Sequence, residues 1–303
     1  MSFAKSRKNK PDTHGRQSDF TREEWLEWRA GGIGGSDAAV ALGVHPYSCP
    51  LDLYLDKIKA KRKNVESNAT RWGHTLEPLV INMVQERFPE VIQSVCELQL
   101  MTDPDFPFLK ATTDAGCFGS KGAGIIEAKT ALSFHGGKMF SEGLPAHYRA
   151  QCLHYLLVSR LEFCVLGALT EGYREQFFWV FPDLEELEDL QTREIELWNR
   201  MNQNDVFWLL DESEKTAKAL ERLFETPVDA PEPLDKRGDE TVNKALESYF
   251  EAKDVEKVAT GKKKEAENIL KATIGDLETL VCDGATVNWK RTARGRRFTV
   301  KKV

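Results

Sequence analysis

The chain has 303 residues, of which 41% are apolar and 30% charged. That is enough for one large or two modest domains with a hydrophobic core. No apolar run approaches the roughly 18 residues of a membrane helix. The basic, polar first 19 residues have no apolar stretch behind them, unlike a secretory signal, so a cytoplasmic protein without a membrane role is expected. The net charge of −6 argues against a nucleic-acid partner only on average, because Trp289 to Val303 carries seven basic residues and no acid. Cysteines at 49, 96, 117, 152, 164 and 282 form no CxxC pair and no zinc spacing, which fits a reducing compartment with most thiols buried.

Residues 1–19 are read from composition as a disordered arm. Thr21 to Arg29 reads as a short helix, with Thr21 and Glu24 at capping-box spacing. The run GGIGGSDAAVALG is a glycine-rich turn entering a small-residue helix near Ser36 and Asp37. It lacks the lysine of a phosphate-binding P-loop. Pro50 opens a helix to about residue 60. A stronger helix spans about 72–87, where Leu76, Leu79, Val80, Met83 and Val84 recur at helical spacing and Trp72 is assigned to the core.

VIQSVCELQL, FLKATTD and GIIEAKT are strand-like, with DAGCFGSKGAG between the last two as a turn. A helix follows over about 145–160, then strands FCVLGALT and REQFFWVF, then a helix from Asp183 to about Asn202. Proline and charge concentrate over 226–240 and mark a boundary. The predicted domains are therefore the arm, a core over 20–225, and an extension over 226–303. The extension is mainly helical to about 275, with Val242, Leu246, Tyr249 and Phe250 as one stripe, and ends in a small basic hairpin. The element order implies an α/β core, a mixed central sheet flanked by helices.

Asp114 closes one strand-like run, and Glu127 and Lys129 lie two apart on IIEAKT, so they share a strand face. Glu77 sits in an apolar helix three residues after His74. Carboxylates from adjacent strand ends and a facing helix can converge on magnesium, which takes few carboxylates and several waters. A lysine beside them would orient or deprotonate an attacking water, whose pKa the metal lowers. Charge on an apolar central strand is costly unless it is paired or metal-bound, which favours function over a solvated face.

Asp114 followed by Glu127-Ala128-Lys129 resembles the bipartite motif of the PD-(D/E)xK nucleases, with their restriction-endonuclease-like core. Gln151-Cys152-Leu153-His154-Tyr155 resembles the QxxxY signature of the exonuclease branch. WGHTLEP supplies the upstream Glu77, and RAGGIGGSDAA resembles the glycine–serine block of the YqaJ and lambda-type phage alkaline exonucleases. The four blocks fall in that family's order and span about residues 20–205; Thr113 stands where the motif has proline.

The resemblance implies a fold and a set of roles. Asp114 and Glu127 would hold Mg2+, or Mn2+ in its place, with the Ala128 carbonyl and Glu77 as further ligands and His74 either a ligand or a packing residue. Lys129 and Gln151 would act on the nucleophilic water and substrate, and Tyr155 would orient them. Arg29 and Ser36 would bind the 5′ phosphate. Outside the resemblance, the basic hairpin with Arg294, Arg296 and Arg297 is read as a DNA contact through its phosphate-gripping cations, with a protein contact or a solvated face as the alternatives. The implied activity is 5′-to-3′ degradation of one strand of a duplex from its ends. It would leave 3′ overhangs for a single-strand annealing partner, in a trimeric ring, in a bacterial cell hosting a phage or prophage. Three rival readings are a structure-specific endonuclease of the same fold, a silent end-binding module, and an iron–sulfur nuclease. Retention of Glu77, Asp114, Glu127 and Lys129 weighs against the second, and the cysteine positions weigh against the third.

Overall fold

A computed structural model of the chain describes residues 9–58, 68–131, 138–204, 206–225 and 233–302. These form two units, Met1–Pro227 and Val228–Val303. In the first unit, β1 (Asp12–Arg16) precedes α1 (Arg22–Ala30), β2 (Ile33–Gly34), α2 (Gly35–Ala41), α3 (Pro50–Lys57) and α4 (Asn68–Arg87). Strands β3 (Ser94–Cys96), β4 (Gln99–Thr102), β5 (Leu109–Ala111), β6 (Ala115–Gly119) and β7 (Gly122–Ala131) follow. Then come α5 (Ala146–Ser159), β8 (Phe163–Thr170), β9 (Arg174–Val180), α6 (Leu184–Asn202) and α7 (Glu214–Leu223). The second unit holds α8 (Glu240–Ile274), β10 (Thr279–Cys282), β11 (Ala285–Thr292) and β12 (Gly295–Lys302).

Local chemistry sets several of these starts. The Glu24 amide donates to the Thr21 hydroxyl at 3.3 Å while the Thr21 amide donates to the Glu24 carboxylate at 2.9 Å, the reciprocal cap foreseen for α1. The Asp183 carboxylate accepts from the amides of Glu185 and Glu186 at 3.0 and 3.1 Å and starts α6. Pro50 occupies the first turn of α3, where its missing N–H is not needed.

The main sheet has the order β3-β6-β7-β8-β9, with β7 at its centre. Strands β7 and β8 are parallel and the other pairs antiparallel, so the mixed sheet flanked by helices is present. All eight residues of β8 are buried. Alternation divides this core. Ile125, Cys164, Leu166 and Ala168 join the cluster that contains α5, and Ile126, Phe163 and Val165 join Val84 of α4 in a second cluster. Glu127 and Lys129 share the parity of Ile125, so they emerge on the α5 side.

The structure departs from the sequence reading in four places. VIQSVCELQL divides between two sheets: β3 belongs to the main one and β4 to a second, of order β1-β4-β5-β2. The apolar Leu98 between them packs toward Gly116, where a Cβ would lie 2.5 Å from it. DAGCFGSKGAG is mostly strand, with β6 and β7 forming a hairpin closed at Gly119 and Gly122. Its glycines serve close packing; a Cβ at Gly124, for example, would meet the Phe163 ring. Residues 12–16, assigned to the arm, are strand β1 on β4. They are held by ladder bonds and by His14 Nε2 on the Thr102 hydroxyl at 2.9 Å, neither of which leaves an apolar signal. Trp72, assigned to the core, is 49% exposed, because only the later turns of α4, at Val80 and Val84, are fully covered.

Of the six cysteines, Cys49, Cys117, Cys152 and Cys164 are buried, Cys96 and Cys282 are exposed, and all are free thiols. Among the described residues, no helix is long and apolar enough to cross a membrane.

Candidate active site

A cleft of about 630 Å³ opens in the first unit, between α1, the start of α2, the first half of α4, the end of β5, the Asp114 turn, β7 and α5. Its lining includes Arg29, Ser36, His74, Glu77, Asp114, Glu127, Lys129, Gln151 and Tyr155. The structure thus gathers every candidate side chain named for this unit, although they span more than a hundred positions of sequence.

Strand β7 brings Glu127 into the interior, where it is fully buried. Its Oε1 accepts from Lys129 Nζ at 2.5 Å and from Gln151 Nε2 at 2.6 Å. The same Gln151 nitrogen donates to the Tyr155 hydroxyl at 3.0 Å. One turn of α5 separates Gln151 from Tyr155, so the QxxxY spacing places both on the face toward β7. Asp114 stands just before β6, and its Oδ2 accepts from the Ala128 amide at 2.7 Å. The hairpin register pairs Ala115 with Ile126, so both carboxyls project from neighbouring ladder positions. Glu77 enters from α4, with His74 Nδ1 at 3.8 Å from its Oε2.

Burial raises the pKa of all three acids, and Asp114 adds to the rise of Glu127 and Glu77. Burial, then the adjacent Asp114, pushes Glu127 up to about 8. Burial lifts Asp114 above the usual carboxylate range despite Lys129 and the Ala128 amide, and burial with Asp114 does the same to Glu77. Burial opposes the charge of Lys129, but Glu127 and Asp114 more than offset it and hold the amine above its ordinary range. The Lys129 ammonium also lies 5.4 Å from the Tyr148 ring centre.

Among the described residues, no three His, Cys, Asp or Glu side chains already surround a common metal position. The donor set nonetheless fits a hard cation. Both bonded partners of Glu127 take Oε1, leaving its buried Oε2 without a partner. Three carboxyls facing one cleft repel unless a cation or protons neutralise them.

At the other end of the cleft, Arg29 donates to the Ser36 hydroxyl at 3.0 Å and its guanidinium lies over Trp25 at 4.8 Å. Beneath it, Lys57 pairs with Asp37 at 2.6 Å and donates to the Arg29 carbonyl at 3.3 Å. Asp37 also accepts from the Gly34 amide at 2.8 Å, fixing the start of α2. A part-buried acid paired with Lys57 and influenced by Arg29, with hydroxyl and guanidinium lining the cleft, suits an anion.

Sequence reasoning passed over several residues here. Lys110 lines the cleft, donates to the Trp28 carbonyl at 2.6 Å and lies 4.7 Å from the Trp28 ring. His154, inside the QxxxY block, is fully buried and bonds Glu194 at 2.7 Å and the Lys110 carbonyl at 2.9 Å, tying α5 to α6 and β5. No spacing rule exposes Lys110. The pair His154 and Glu194 had a signal in being polar at apolar positions of two amphipathic helices. In the second unit, Arg296 departs from its expected role. It donates to the carbonyls of Trp289, Gly275 and Leu277 and covers the Trp289 ring at 3.8 Å. Its donors hold the end of α8 to the sheet, while Arg294 and Arg297 are exposed.

Residues 24–162 match the family model of the YqaJ-like viral recombinase domain. This segment is therefore similar to that domain family. The match contains every candidate residue of the cleft, from Arg29 to Tyr155. The protein YqaJ of Bacillus subtilis (strain 168) is 27% identical over 301 residues, covering 94% of this chain and 88% of that protein. An alkaline exonuclease from Laribacter hongkongensis is similar at 17% identity and a TM-score of 0.49, over 61% of this chain and 95% of its own. A phage-related exonuclease from Haemophilus somnus 129PT is similar at 10% identity and a TM-score of 0.43, over 58% and 96%.

Proposed function

We propose that this chain is a magnesium-dependent exonuclease that degrades one strand of duplex DNA from its 5′ end. The observation that carries the reading is the buried Glu127, bonded through one oxygen to Lys129 and Gln151 and with the other left unpartnered beside Asp114. Burying a charge this way is expensive and has no structural return, so it points to chemistry.

Asp114, Glu127 and Glu77, with the Ala128 carbonyl, would hold the metal, and His74 lies within reach of Glu77. When bound, the metal supplies an acidified water and polarises the scissile phosphate. The protein's own groups do the rest. Gln151, fixed by Tyr155, aims its amide at the reacting edge of Glu127. Lys129, bonded to Glu127, stands where it can act on the attacking water and offset charge on the phosphate. Arg29 and Ser36 bind the terminal 5′ phosphate, which sets the polarity of digestion. The 3′ strand left behind is the substrate of a single-strand annealing partner. A trimeric ring around the duplex, in the cytoplasm of a bacterial host, completes the reading.

The test uses linear duplex labelled separately at each end, with or without a 5′ phosphate, in magnesium or EDTA, beside closed-circular DNA. Magnesium-dependent loss from the 5′ end that spares circles and is absent in Lys129→Ala is expected. Cutting of circles would make the chain an endonuclease, and no cutting by the wild type would leave an end-binding module.

A further inference from the structure

The described lining of the cleft comes from the first unit; the second unit carries a sheet of its own. Strands β10, β11 and β12 are antiparallel in that order. Val287 and Ile274 are buried where α8 meets the sheet. Strand alternation puts Val287, Trp289, Arg296 and Phe298 on this inner face, and Lys271 of α8 lies 4.9 Å from the Phe298 ring.

The outer face therefore holds Thr279 and Val281 of β10, Thr286, Asn288 and Lys290 of β11, and Arg297, Thr299 and Lys301 of β12. Three features of it belong together. The three strands contain no acid, and among the described residues Lys290, Arg297 and Lys301 have no ion-pair partner. Lys290 sits directly opposite Arg297 in the ladder, a like-charge pairing that destabilises a sheet. The sheet's two aromatic residues, Trp289 and Phe298, are turned inward, so its outer face offers cations, hydroxyls, an amide and Val281 but no ring.

We propose that this outer sheet face, through Lys290, Arg297 and Lys301, binds the phosphate backbone of duplex DNA. Repelling cations with hydroxyls between them complement a row of phosphates. Single strands are gripped by stacking on aromatic platforms, which this face lacks, so the duplex is the form that fits. The inference rests on the nuclease reading only for the choice of DNA as the polyanion. The contact is independent of sequence and of DNA ends, and serves to keep the enzyme on its substrate.

The test measures binding of the full chain to closed-circular duplex in EDTA across a salt series, where neither ends nor cutting contribute. Replacing Lys290, Arg297 and Lys301 together by Gln should lower the slope of log affinity against log salt by about two to three, near 0.9 per lost phosphate contact. A control of equal charge, Lys262, Lys263 and Lys264 of α8 replaced by Gln, should leave the slope unchanged. Lys290→Glu should weaken duplex binding while raising the melting temperature, because it pairs with Arg297, so misfolding cannot imitate the result. Equal losses in both triple variants would overturn the proposal in favour of net charge alone. A loss confined to single-stranded DNA, or no loss with intact exonuclease activity, would also overturn it. Failure of the nuclease reading would appear separately, as absent cutting with circle binding retained.

Discussion

A carboxyl surrounded by other acids in a closed interior ties its protonation to folding. Glu127 moves from an ordinary 4.5 up to about 8 in the metal-free chain, so over that interval the folded state keeps a proton that the unfolded state has lost. Its contribution is therefore greatest at low pH and disappears as pH rises through about 8. Asp114 and Glu77 act in the same direction. In EDTA the melting temperature should fall between about pH 5 and pH 8.5, and Glu127→Gln should flatten that fall. Parallel curves for the two proteins would rule out this origin. Lys129 is the only cation bonded to that carboxylate among the described residues. Lys129→Ala should cost about a hundredfold or more in rate while linear duplex still binds in EDTA. A variant with near-normal turnover would remove Lys129 from the reaction.

At the scale of elements, the approach of α2 to α5 decides where Gln151 points. A Cβ on Gly35 would come within 2.5 Å of the Tyr155 ring, the ring whose hydroxyl holds Gln151. Gly35→Ala should lower stability by about 1–3 kcal/mol and reduce turnover, and calorimetry beside a nuclease assay would show whether both losses occur. The sequence carried this arrangement unevenly. The period of two set Glu127 and Lys129 on one face, the four-residue interval did the same for Gln151 and Tyr155, and the caps at Thr21 and Asp183 marked helix starts. Strands β1 and β2 rest on main-chain bonds and were silent. The hairpin glycines looked like a loop because their use, admitting Leu98 and Phe163, depends on distant residues. Trp72 was assigned inward because hydrophobicity does not say how far a covering sheet extends along a helix.

For the whole chain, a cation bound only by the folded form adds its binding energy to stability. Titrating magnesium into metal-free protein at pH 8 should raise the melting temperature progressively, by about 2.7 kcal/mol of stability at a hundredfold excess over Kd. Asp114→Asn should remove most of that gain, and an equal gain in the variant would place the ion elsewhere. The parallel pairing of β7 with β8 has a further consequence for the protein's birth on the ribosome. Every side chain of the cleft has been made once Tyr155 is added, but the strand carrying Glu127 and Lys129 has only one neighbour until Phe163–Thr170 emerges behind α5. The β6–β7 hairpin can thus pair Asp114 with Glu127 and Lys129 early, while the second flank of β7 is covered only after that later strand leaves the exit tunnel. The cationic sheet of β10–β12 follows these residues in the chain, so the groups of the proposed active site are synthesised before the surface proposed to retain DNA.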